Sequence, residues 1–374
     1  MKVVYIYHSL VKWGGIERVW IDKMNYLADV FHEEVYLLTY DQGENDLTFT
    51  LSSQVHYEDL GIFTYHKYRY QGLHRFWDGY IRKRRLYRRL SEKLLQIHPD
   101  IIITTTTADL SLVLKANCGA ALIAESHSGY GKVVDSNDKK LKHRVETWKR
   151  YHLLRTFDAI VSLTEDDAAR WQRHFKRVEI IPNIVHLNPD NQYSSVSAKQ
   201  VLFLGRFEPQ KAIPDLVTIW QLVHKRHPDW LLAMYGEGKL KKSMVKDINA
   251  RNISIQVYDH TNDVFARCKE SSMLLLTSLY EPFGLVIPEA MSCGLPVVSF
   301  EGDGPSSIIT DGKDGFLVKN RDIQVFADRV CQLIENPVLR KQMGQQAILS
   351  AQHYTADAIM PLWKQLFESL KNKV

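Results

Sequence analysis

The sequence has few cysteines and lacks any long apolar run. Its 374 residues include four cysteines, which lie far apart and share no metal-ligand spacing: Cys118, Cys268, Cys293 and Cys331. So few thiols in a long chain favour a reducing compartment over a disulfide framework. No run of about 18 apolar residues is present, so the sequence offers no spanning helix, and its apolar start lacks the cleavage site of an export signal. We therefore expect a cytoplasmic protein.

Low-complexity segments and short repeats are also absent, which leaves an alternation of short apolar strands and longer amphipathic stretches. This alternation is typical of parallel sheets with crossover helices. It runs twice, on either side of a polar segment at 188–199 that we interpret as a linker, and predicts Rossmann-like domains at 1–187 and 200–355. Residues 356–374 are expected to form a last helix. Two doubly wound sheets facing a cleft would hold ligands at the carboxyl ends of their strands.

The first chemically suggestive segment follows an apolar strand at Val201–Leu204. Gly205 allows a tight exit from that strand, and Arg206 and Lys211 then lie on the loop that leads into a helix. Two cations at such a place suit a diphosphate, whose charge they can balance without a metal ion. Taken alone, the segment slightly favours an ordinary loop that carries two solvated basic residues.

A sharper signal is the segment Ser278–Val298. It places Glu281 on a loop after a strand and Glu289 near the start of a helix. The backbone amides around Phe283–Val286 are expected to be free to contact an anion or a hydroxyl. Carboxylates in this position suit sugar hydroxyls, from which they accept hydrogen bonds. The alternative is that both glutamates only favour the dipole at a helix start.

Together these motifs resemble the family-4 retaining glycosyltransferases of the GT-B fold. The resemblance covers essentially the whole chain and rests on the Glu281–Glu289 segment (EPFGLVIPE), the Gly205–Lys211 loop (GRFEPQK), the Glu301–Val318 segment and Gly14-Gly15 near the start. It implies two Rossmann-like domains facing a cleft, with the C-terminal helix returning to the N-terminal domain. It also implies a nucleotide sugar as substrate and no cofactor.

The resemblance assigns roles residue by residue. Arg206 and Lys211 are expected to bind the donor diphosphate, Glu281 to contact the transferred sugar and Glu289 to hold the ribose hydroxyls. His127 matches the N-domain histidine that faces the sugar, although a lone histidine after a strand is more often structural. The catalytic set is therefore His127, Arg206, Lys211 and Glu281. Further donor-binding positions line the phosphates, the sugar or the base: Gly14, Gly15, Tyr258, Phe283, Gly284 and Leu285.

The implied reaction is retaining transfer of a hexose or N-acetylhexosamine to a glycan or lipid-linked glycan, in synthesis of cell-surface polysaccharide or lipopolysaccharide. No Asp-x-Asp motif accompanies the diphosphate loops, so no metal is expected. The segment 302–306 resembles that of members using UDP-linked galactose or N-acetylhexosamines. Two alternatives stay open: a nucleotide-sugar epimerase or inverting transferase of the same fold, and a non-catalytic sugar-nucleotide binder.

The net charge of +5 conceals a strongly basic region. Between His66 and Lys93, ten lysines or arginines accompany two acidic residues, a local charge of +8, and six aromatic residues lie among them. With a second basic patch at 139–150, this region suggests docking to an anionic membrane, on its inner face. The alternative is a solvated helix whose apolar face, Tyr87, Leu90, Leu94 and Ile97, packs on its own sheet. No recognised module supports nucleic-acid binding.

Overall fold

The computed structural model describes residues 1–11, 14–134 and 141–371, without the side chains of residues 141, 142 and 320. The chain forms two compact units, Met1–Ile184 together with the chain from Ile359 onward, and Val185–Ala358. Each unit contains one sheet whose strand pairings are parallel. The predicted α/β class with two parallel sheets is therefore confirmed. The polar segment 188–199 belongs to the second unit.

The first unit holds seven strands. They are β1 Lys2–Ile6, β2 Glu34–Thr39, β3 His56–Asp59, β4 Ile101–Thr105, β5 Ala121–Ser126, β6 Ala159–Ser162 and β7 Val178–Ile180, in the order β3-β2-β1-β4-β5-β6-β7. Its helices are α1 Gly15–Asp29, α2 Gly72–Ile97, α3 Leu110–Ala116, α4 Tyr130–Val133, α5 Leu141–Leu154 and α6 Glu165–Gln172. The central strands β4 and β5 are buried at every residue, as in parallel sheets covered on both faces.

The second unit holds six strands. They are β8 Gln200–Leu204, β9 Leu231–Tyr235, β10 Ile255–Tyr258, β11 Leu274–Leu276, β12 Val297–Phe300 and β13 Gly315–Val318, in the order β10-β9-β8-β11-β12-β13. The helices that follow are α7 Ile213–Arg226, α8 Lys241–Arg251, α9 Val264–Lys269, α10 Val286–Ser292, α11 Asp303–Ile308, α12 Ile323–Glu335, α13 Pro337–Ala351 and α14 Ala356–Lys371. Within the described residues, no helix is both long and apolar enough to cross a bilayer.

Helix α14 packs on the first unit, as the resemblance implies. The ring of Trp363 lies 4.2 Å from the ammonium of Lys23, and Lys364 lies 5.0 Å from the ring centroid of Phe31. Both partners belong to α1 or the turn after it. The last helix therefore completes the N-terminal unit rather than the unit that precedes it in sequence.

In each sheet, the strands that follow the first one along the chain are added on one side of it, and the later strands are added on its other side. The reversal lies between β1 and β4 in the first unit and between β8 and β11 in the second. Open α/β sheets bind ligands at the carboxyl ends of the strands at such a reversal. In the second unit, the loops that leave these two strands are 205–211 and 277–285, which carry the cations and the first glutamate singled out above.

Helix α2 corrects one prediction about the basic region. Its buried residues are Leu86, Leu90, Leu94 and Ile97, whereas Tyr87 is 43% exposed. The steps of four, four and three residues from Leu86 stay on one face at 3.6 residues per turn, and Tyr87 lies about 100° away from Leu86. The C-terminal half of α2 buries an apolar face, as predicted, but Leu86 rather than Tyr87 belongs to that face.

Candidate functional site

The loops after β8 and β11 are joined by hydrogen bonds. The amide of Leu279 donates to the carbonyl of Gln210 over 2.8 Å, and the Gln210 side chain donates to the carbonyl of Tyr280 over 2.7 Å. The hydroxyl of Thr277 donates to the carbonyl of Lys211 over 2.9 Å. Because each loop holds the other, Arg206 and Lys211 are fixed beside the segment that carries Glu281.

Two glycines let neighbouring backbone lie directly against these loops. A Cβ atom at Gly236 would lie 2.0 Å from the carbonyl oxygen of Gly205, and one at Gly304 would lie 2.2 Å from that of Phe283. The amide of Gly304 donates to the carbonyl of Glu281 over 2.9 Å. Any larger residue at either glycine would push the loops apart. The segment 302–306, noted in the sequence, therefore supports the Glu281 loop from behind.

Lys211 and Glu281 form an ion pair. The Lys211 ammonium lies 2.5 Å from Oε2 of Glu281, and their side chains are 15% and 13% exposed. The hydroxyl of Ser278 donates to the same oxygen over 3.1 Å. The residues expected to bind the diphosphate and the sugar thus contact each other directly, a pairing that the sequence does not predict. A diphosphate that binds here has to share Lys211 with Glu281.

Other hydrogen-bond donors at these loops are unoccupied. Arg206 is exposed, and its guanidinium has no partner within the described residues. Over the same part of the chain, the amides of Phe283, Gly284 and Leu285 donate no hydrogen bond. Gly284 has φ of +92°, a conformation that favours glycine. One guanidinium and three backbone amides are therefore available to anionic or hydroxyl oxygens beside the Lys211–Glu281 pair.

Glu289 and Tyr258 both belong to the second unit, on α10 and β10. Glu289 is in the first turn of α10 and only 5% exposed. Tyr258 ends β10, is 37% exposed, and stacks on Tyr235 with ring centroids 4.6 Å apart. The stacked pair offers a flat aromatic face, which suits a nucleobase.

Arg321 contacts the segment that precedes Glu281, and the sequence did not single it out. Its guanidinium donates to the carbonyls of Ser278 over 3.0 Å and Thr277 over 3.1 Å, and forms an ion pair with Asp215 of α7. It therefore holds the exit of β11 in place. No sequence signal marks it, because its partners lie about 40 and 106 residues away.

In the first unit, His127 lies at the end of β5 among buried polar groups. Its side chain is 4% exposed, and Nε2 lies 2.9 Å from Oε2 of Glu125. The same carboxylate oxygen is 2.5 Å from the ammonium of Lys23. Gly14 caps α1 and Gly15 begins it, while residues 12 and 13 of the preceding loop lie outside the described residues.

Among the described residues, one group of three potential metal ligands is found. His227, Cys331 and Glu335 bring ligand atoms within 4.8 Å of one another. Glu335 already contacts His227 and Arg226, both over 2.9 Å, and burial raises the pKa of the Cys331 thiol to about 11. A protonated thiol and an arginine-paired carboxylate are poor ligands. We interpret the group as an ion-pair network that joins α7 to α12.

The fold defines an α/β protein with two parallel sheets, and comparison with known proteins identifies its family. The family description "Glycosyl transferases group 1" matches residues 190–349, and "Glycosyltransferase Family 4" matches residues 13–189. An uncharacterised glycosyltransferase of Haemophilus influenzae is 28% identical over 372 residues, which is 97% of this chain and 99% of its own. The chain belongs to glycosyltransferase family 4 and has the GT-B fold.

Two further similar proteins have named activities or ligands. An α-1,4-N-acetyl-D-galactosaminyltransferase of Campylobacter jejuni, named for its undecaprenol-diphosphate-linked acceptor, is 23% identical over 100% of this chain and 99% of its own. The crystal structure of a mutant form of S. aureus TarM with fondaparinux, α-GlcNAc-glycerol and UDP has a TM-score of 0.78 at 16% identity, and covers 98% of this chain and 99% of that one. The structural likeness establishes the fold.

Proposed function

We propose that this glycosyltransferase transfers a hexose or N-acetylhexosamine from a UDP-sugar, with retention of anomeric configuration, to a glycan or lipid-linked glycan of the cell surface. The observation that carries the proposal lies at the strand-order reversal of the second unit. There Arg206 and the Lys211–Glu281 pair lie beside three backbone amides that donate no hydrogen bond within the described residues. Arg206 and Lys211 bind the diphosphate, and Glu281 contacts the sugar. Glu289 holds the ribose, and Tyr258 lies beside the base.

The donor and the stereochemistry are supported by the relatives. The Campylobacter protein is named as an α-transferase, and the S. aureus structure contains UDP together with α-GlcNAc-glycerol. Common UDP-hexosamines carry the sugar in α linkage, so an α product corresponds to retention. The acceptor hydroxyl then attacks from the side on which UDP departs, and a phosphate oxygen accepts its proton.

In this proposal, two cationic side chains neutralise the leaving diphosphate, as a divalent metal ion does in other transferases. Arg206 and Lys211 can neutralise the charge that develops on the leaving diphosphate, assisted by the amides of Phe283, Gly284 and Leu285. Since these donors are already fixed by the paired loops, little rearrangement is needed during the reaction. We propose that turnover requires no divalent metal.

Ligand-induced stabilisation tests the donor. Tm is measured with UDP, GDP, ADP and their common hexose conjugates, each without and with EDTA. A ligand present at 100 times its Kd adds about 2.7 kcal/mol of stability. We expect UDP and one UDP-sugar to raise Tm and the chelator to leave that rise unchanged. Stabilisation by GDP or ADP alone, or only with Mn²⁺ or Mg²⁺, would contradict the proposed donor or the metal independence.

We also propose that the basic region docks on an anionic membrane surface, where a lipid-linked acceptor is found. The N-terminal half of α2 leaves large apolar side chains in solvent: Leu73, Phe76, Trp77, Tyr80 and Ile81, which are between 49% and 76% exposed. Arg84 and Arg85 are exposed beside them, and neither has a side-chain partner within the described residues. Aromatic side chains with adjacent cations suit the interface of an anionic bilayer.

The second basic patch supports this less directly. Residues 139 and 140 lie outside the described residues, and within α5 Trp148 is 61% exposed. Arg82 is not a free cation, because it pairs with Asp78 over 2.7 Å and donates to the carbonyl of Ile62 over 2.8 Å. Docking is therefore assigned to the exposed residues around Trp77, Arg84 and Arg85.

Vesicle binding tests the membrane proposal. The variant W77S/R84Q/R85Q and the control K225Q/K341Q, which removes two exposed lysines of the second unit, are sedimented with phosphatidylglycerol vesicles at low salt. Each basic residue near the surface contributes about 1 kcal/mol. We expect the first variant to lose binding by more than about tenfold and the control to bind like the wild type. Equal binding by all three proteins, or none by the wild type, rejects this surface.

A further inference from the structure

One aromatic side chain anchors the segment that offers the three backbone amides. Within residues 278–285, Phe283 alone has a buried side chain, and it is only 3% exposed. Its own amide and those of Gly284 and Leu285 donate no hydrogen bond within the described residues. Backbone that few hydrogen bonds hold depends on side-chain packing for its order. The contacts of the Phe283 ring therefore determine how firmly the three amides are held.

Tyr354 packs on this ring from a distant part of the chain. The two ring centroids lie 5.5 Å apart at an interplanar angle of 74°, an edge-to-face arrangement that aromatic pairs favour. Tyr354 ends the short 3₁₀ turn Gln352–Tyr354 that follows α13, and it belongs to the same unit as Phe283. No step of the proposed reaction uses this tyrosine.

The Tyr354 hydroxyl contacts the helix that supports the same loop. It donates over 3.1 Å to the carbonyl of Ser307, one of the last carbonyls of α11, which have no partner within the helix. The first turn of α11 lies against the loop through Gly304, whose amide donates to the carbonyl of Glu281. Burial, aided by the charge of Asp314, raises the pKa of Tyr354 to about 12, so the hydroxyl keeps the proton that it donates.

The backbone of Tyr354 is held by a third contact. Its carbonyl accepts a hydrogen bond over 2.8 Å from the amide of Val185, the first residue of the second unit. Tyr354 is therefore restrained at its carbonyl, its hydroxyl and its ring. A side chain that positions another group has to be fixed by contacts of its own, and these contacts fix the ring against Phe283.

We propose that Tyr354 is a positioning residue for the donor, which holds the Phe283 ring and thereby keeps the amides of residues 283–285 in place for oxygens of the nucleotide sugar. The inference rests on the proposed function, in which these amides bind the donor. It adds a residue that no motif of the sequence marks. A tyrosine that only stabilised the fold would lower Tm and leave UDP affinity unchanged at temperatures well below unfolding.

Leucine substitutions test whether Tyr354 acts through Phe283. UDP affinity is measured by isothermal titration for Y354L, F283L and Y354L/F283L, well below the lowest Tm of the set. We expect each single variant to bind UDP about tenfold more weakly, because the amides lose their preorganised positions. The double variant should also be about tenfold weaker, since residues that act through one contact are not additive. A loss of about a hundredfold in the double variant overturns the inference.

W230L is the matched control for general destabilisation. Trp230 is another buried aromatic residue of the second unit, 5.3 Å from the Arg340 guanidinium, but it precedes the amino end of β9, at the edge of the sheet away from the loops after β8 and β11. We expect W230L to lower Tm and to bind UDP like the wild type. If it weakens UDP as much as Y354L does, the effect is unspecific and the inference fails.

The conservative variant Y354F separates the ring from the hydroxyl. It retains the ring against Phe283 and loses only the hydrogen bond to Ser307, so UDP affinity should fall by less than about threefold. If Y354F is as weak as Y354L, the ring has no positioning role and the inference is wrong.

Amide hydrogen exchange reports on the loop without nucleotide. Peptides covering residues 278–292 contain the hydrogen-bonded amides of Leu279, Ile287 and Glu289, which flank the three amides. These peptides should exchange faster in Y354L and F283L and like the wild type in W230L. F283L leaves Tyr354 unaltered, so unchanged exchange and unchanged UDP affinity in F283L overturn the inference even if Y354L does not fold.

The failure of the proposed function has a different signature. If exchange rises in Y354L and F283L but UDP affinity is unchanged in both, Tyr354 holds the loop and the amides do not bind the donor, so the proposed site and the inference fall together. If exchange is unchanged in both while R206A and K211A weaken UDP, the donor site stands and only the inference about Tyr354 fails.

Discussion

Replacing Glu281 with glutamine tests the proposal that Lys211 binds the diphosphate and Glu281 contacts the sugar. The Glu281 carboxylate contacts the Lys211 ammonium over 2.5 Å, so it would compete with the diphosphate that we propose binds to Lys211. Glutamine retains the shape and a hydrogen-bonding oxygen but removes the competing charge. The variant should therefore leave Lys211 more available to UDP, while the sugar loses its carboxylate contact.

The size of the effect follows from the pair's geometry. A hydrogen bond to a charged group contributes about 1.5–3 kcal/mol, and about 1.4 kcal/mol corresponds to about tenfold in affinity. The side chains are 15% and 13% exposed, and a bound diphosphate can share Lys211, so only part of this energy is recovered. We expect E281Q to bind free UDP between equally and about tenfold more tightly than the wild type, and kcat with the UDP-sugar to fall about 10²–10³-fold.

Isothermal titration with UDP and initial-rate measurements with the UDP-sugar provide the two readouts. E208Q is the matched control, because it removes one negative charge from the neighbouring loop without touching the pair. E289Q is the second comparison and should weaken free UDP by roughly tenfold, since Glu289 is assigned to the ribose. If E281Q weakens UDP as much as E289Q does, the division of labour is wrong and the two glutamates act as one nucleotide-binding unit.

Three further predictions concern the same loops and the charge that they supply. R206A and K211A should each weaken UDP about tenfold or more, because each removes one charged phosphate contact. Tm should stay unchanged in R206A and fall in K211A, because Glu281 there loses its ion-pair partner. Titration showing unchanged UDP affinity in both variants would remove the diphosphate assignment. R321M should lower Tm and weaken UDP together, because Arg321 holds the carbonyls of Thr277 and Ser278; a variant that binds UDP normally would show that the loop keeps its shape without this contact. Turnover should survive EDTA, and complete loss restored by Mn²⁺ or Mg²⁺ would show that Arg206 and Lys211 do not suffice.

The sequence predicts the elements that carry strong apolar signals and misses those that do not. Strands β8 and β11 and the loops after them are evident, because apolar runs end at glycine-rich or charged motifs. Strand β3 (HYED) is short, mostly exposed and without apolar alternation, so only its pairing with β2 reveals it. On α2, Leu86 and Tyr87 are adjacent and both apolar in part, and the choice between them depends on how the helix is rotated against the sheet.

The polar contacts of the site are the part that the sequence leaves open. Lys211 and Glu281 are 70 residues apart, and nothing in either motif indicates that their side chains pair. Lys23 and Glu125 are 102 residues apart. A partial signal exists for the second pair, because Lys23 lies among the apolar positions of an amphipathic helix and Glu125 interrupts an otherwise apolar strand. A charge on a face that must be buried requires a partner, although the sequence does not name it.

Retaining, metal-independent transfer from a UDP-sugar is tested most directly by the stereochemistry of the new glycosidic bond. The protein is incubated in EDTA with UDP-GlcNAc, UDP-GalNAc, UDP-glucose or UDP-galactose, each with a panel of aryl glycoside acceptors. The anomeric ¹H coupling of the newly formed glycosidic bond is recorded by NMR. The account predicts an α-linked product, with UDP released in equal amount. A β-linked product, or a free epimer of the sugar formed without acceptor, would contradict it and select the inverting-transferase or epimerase alternative.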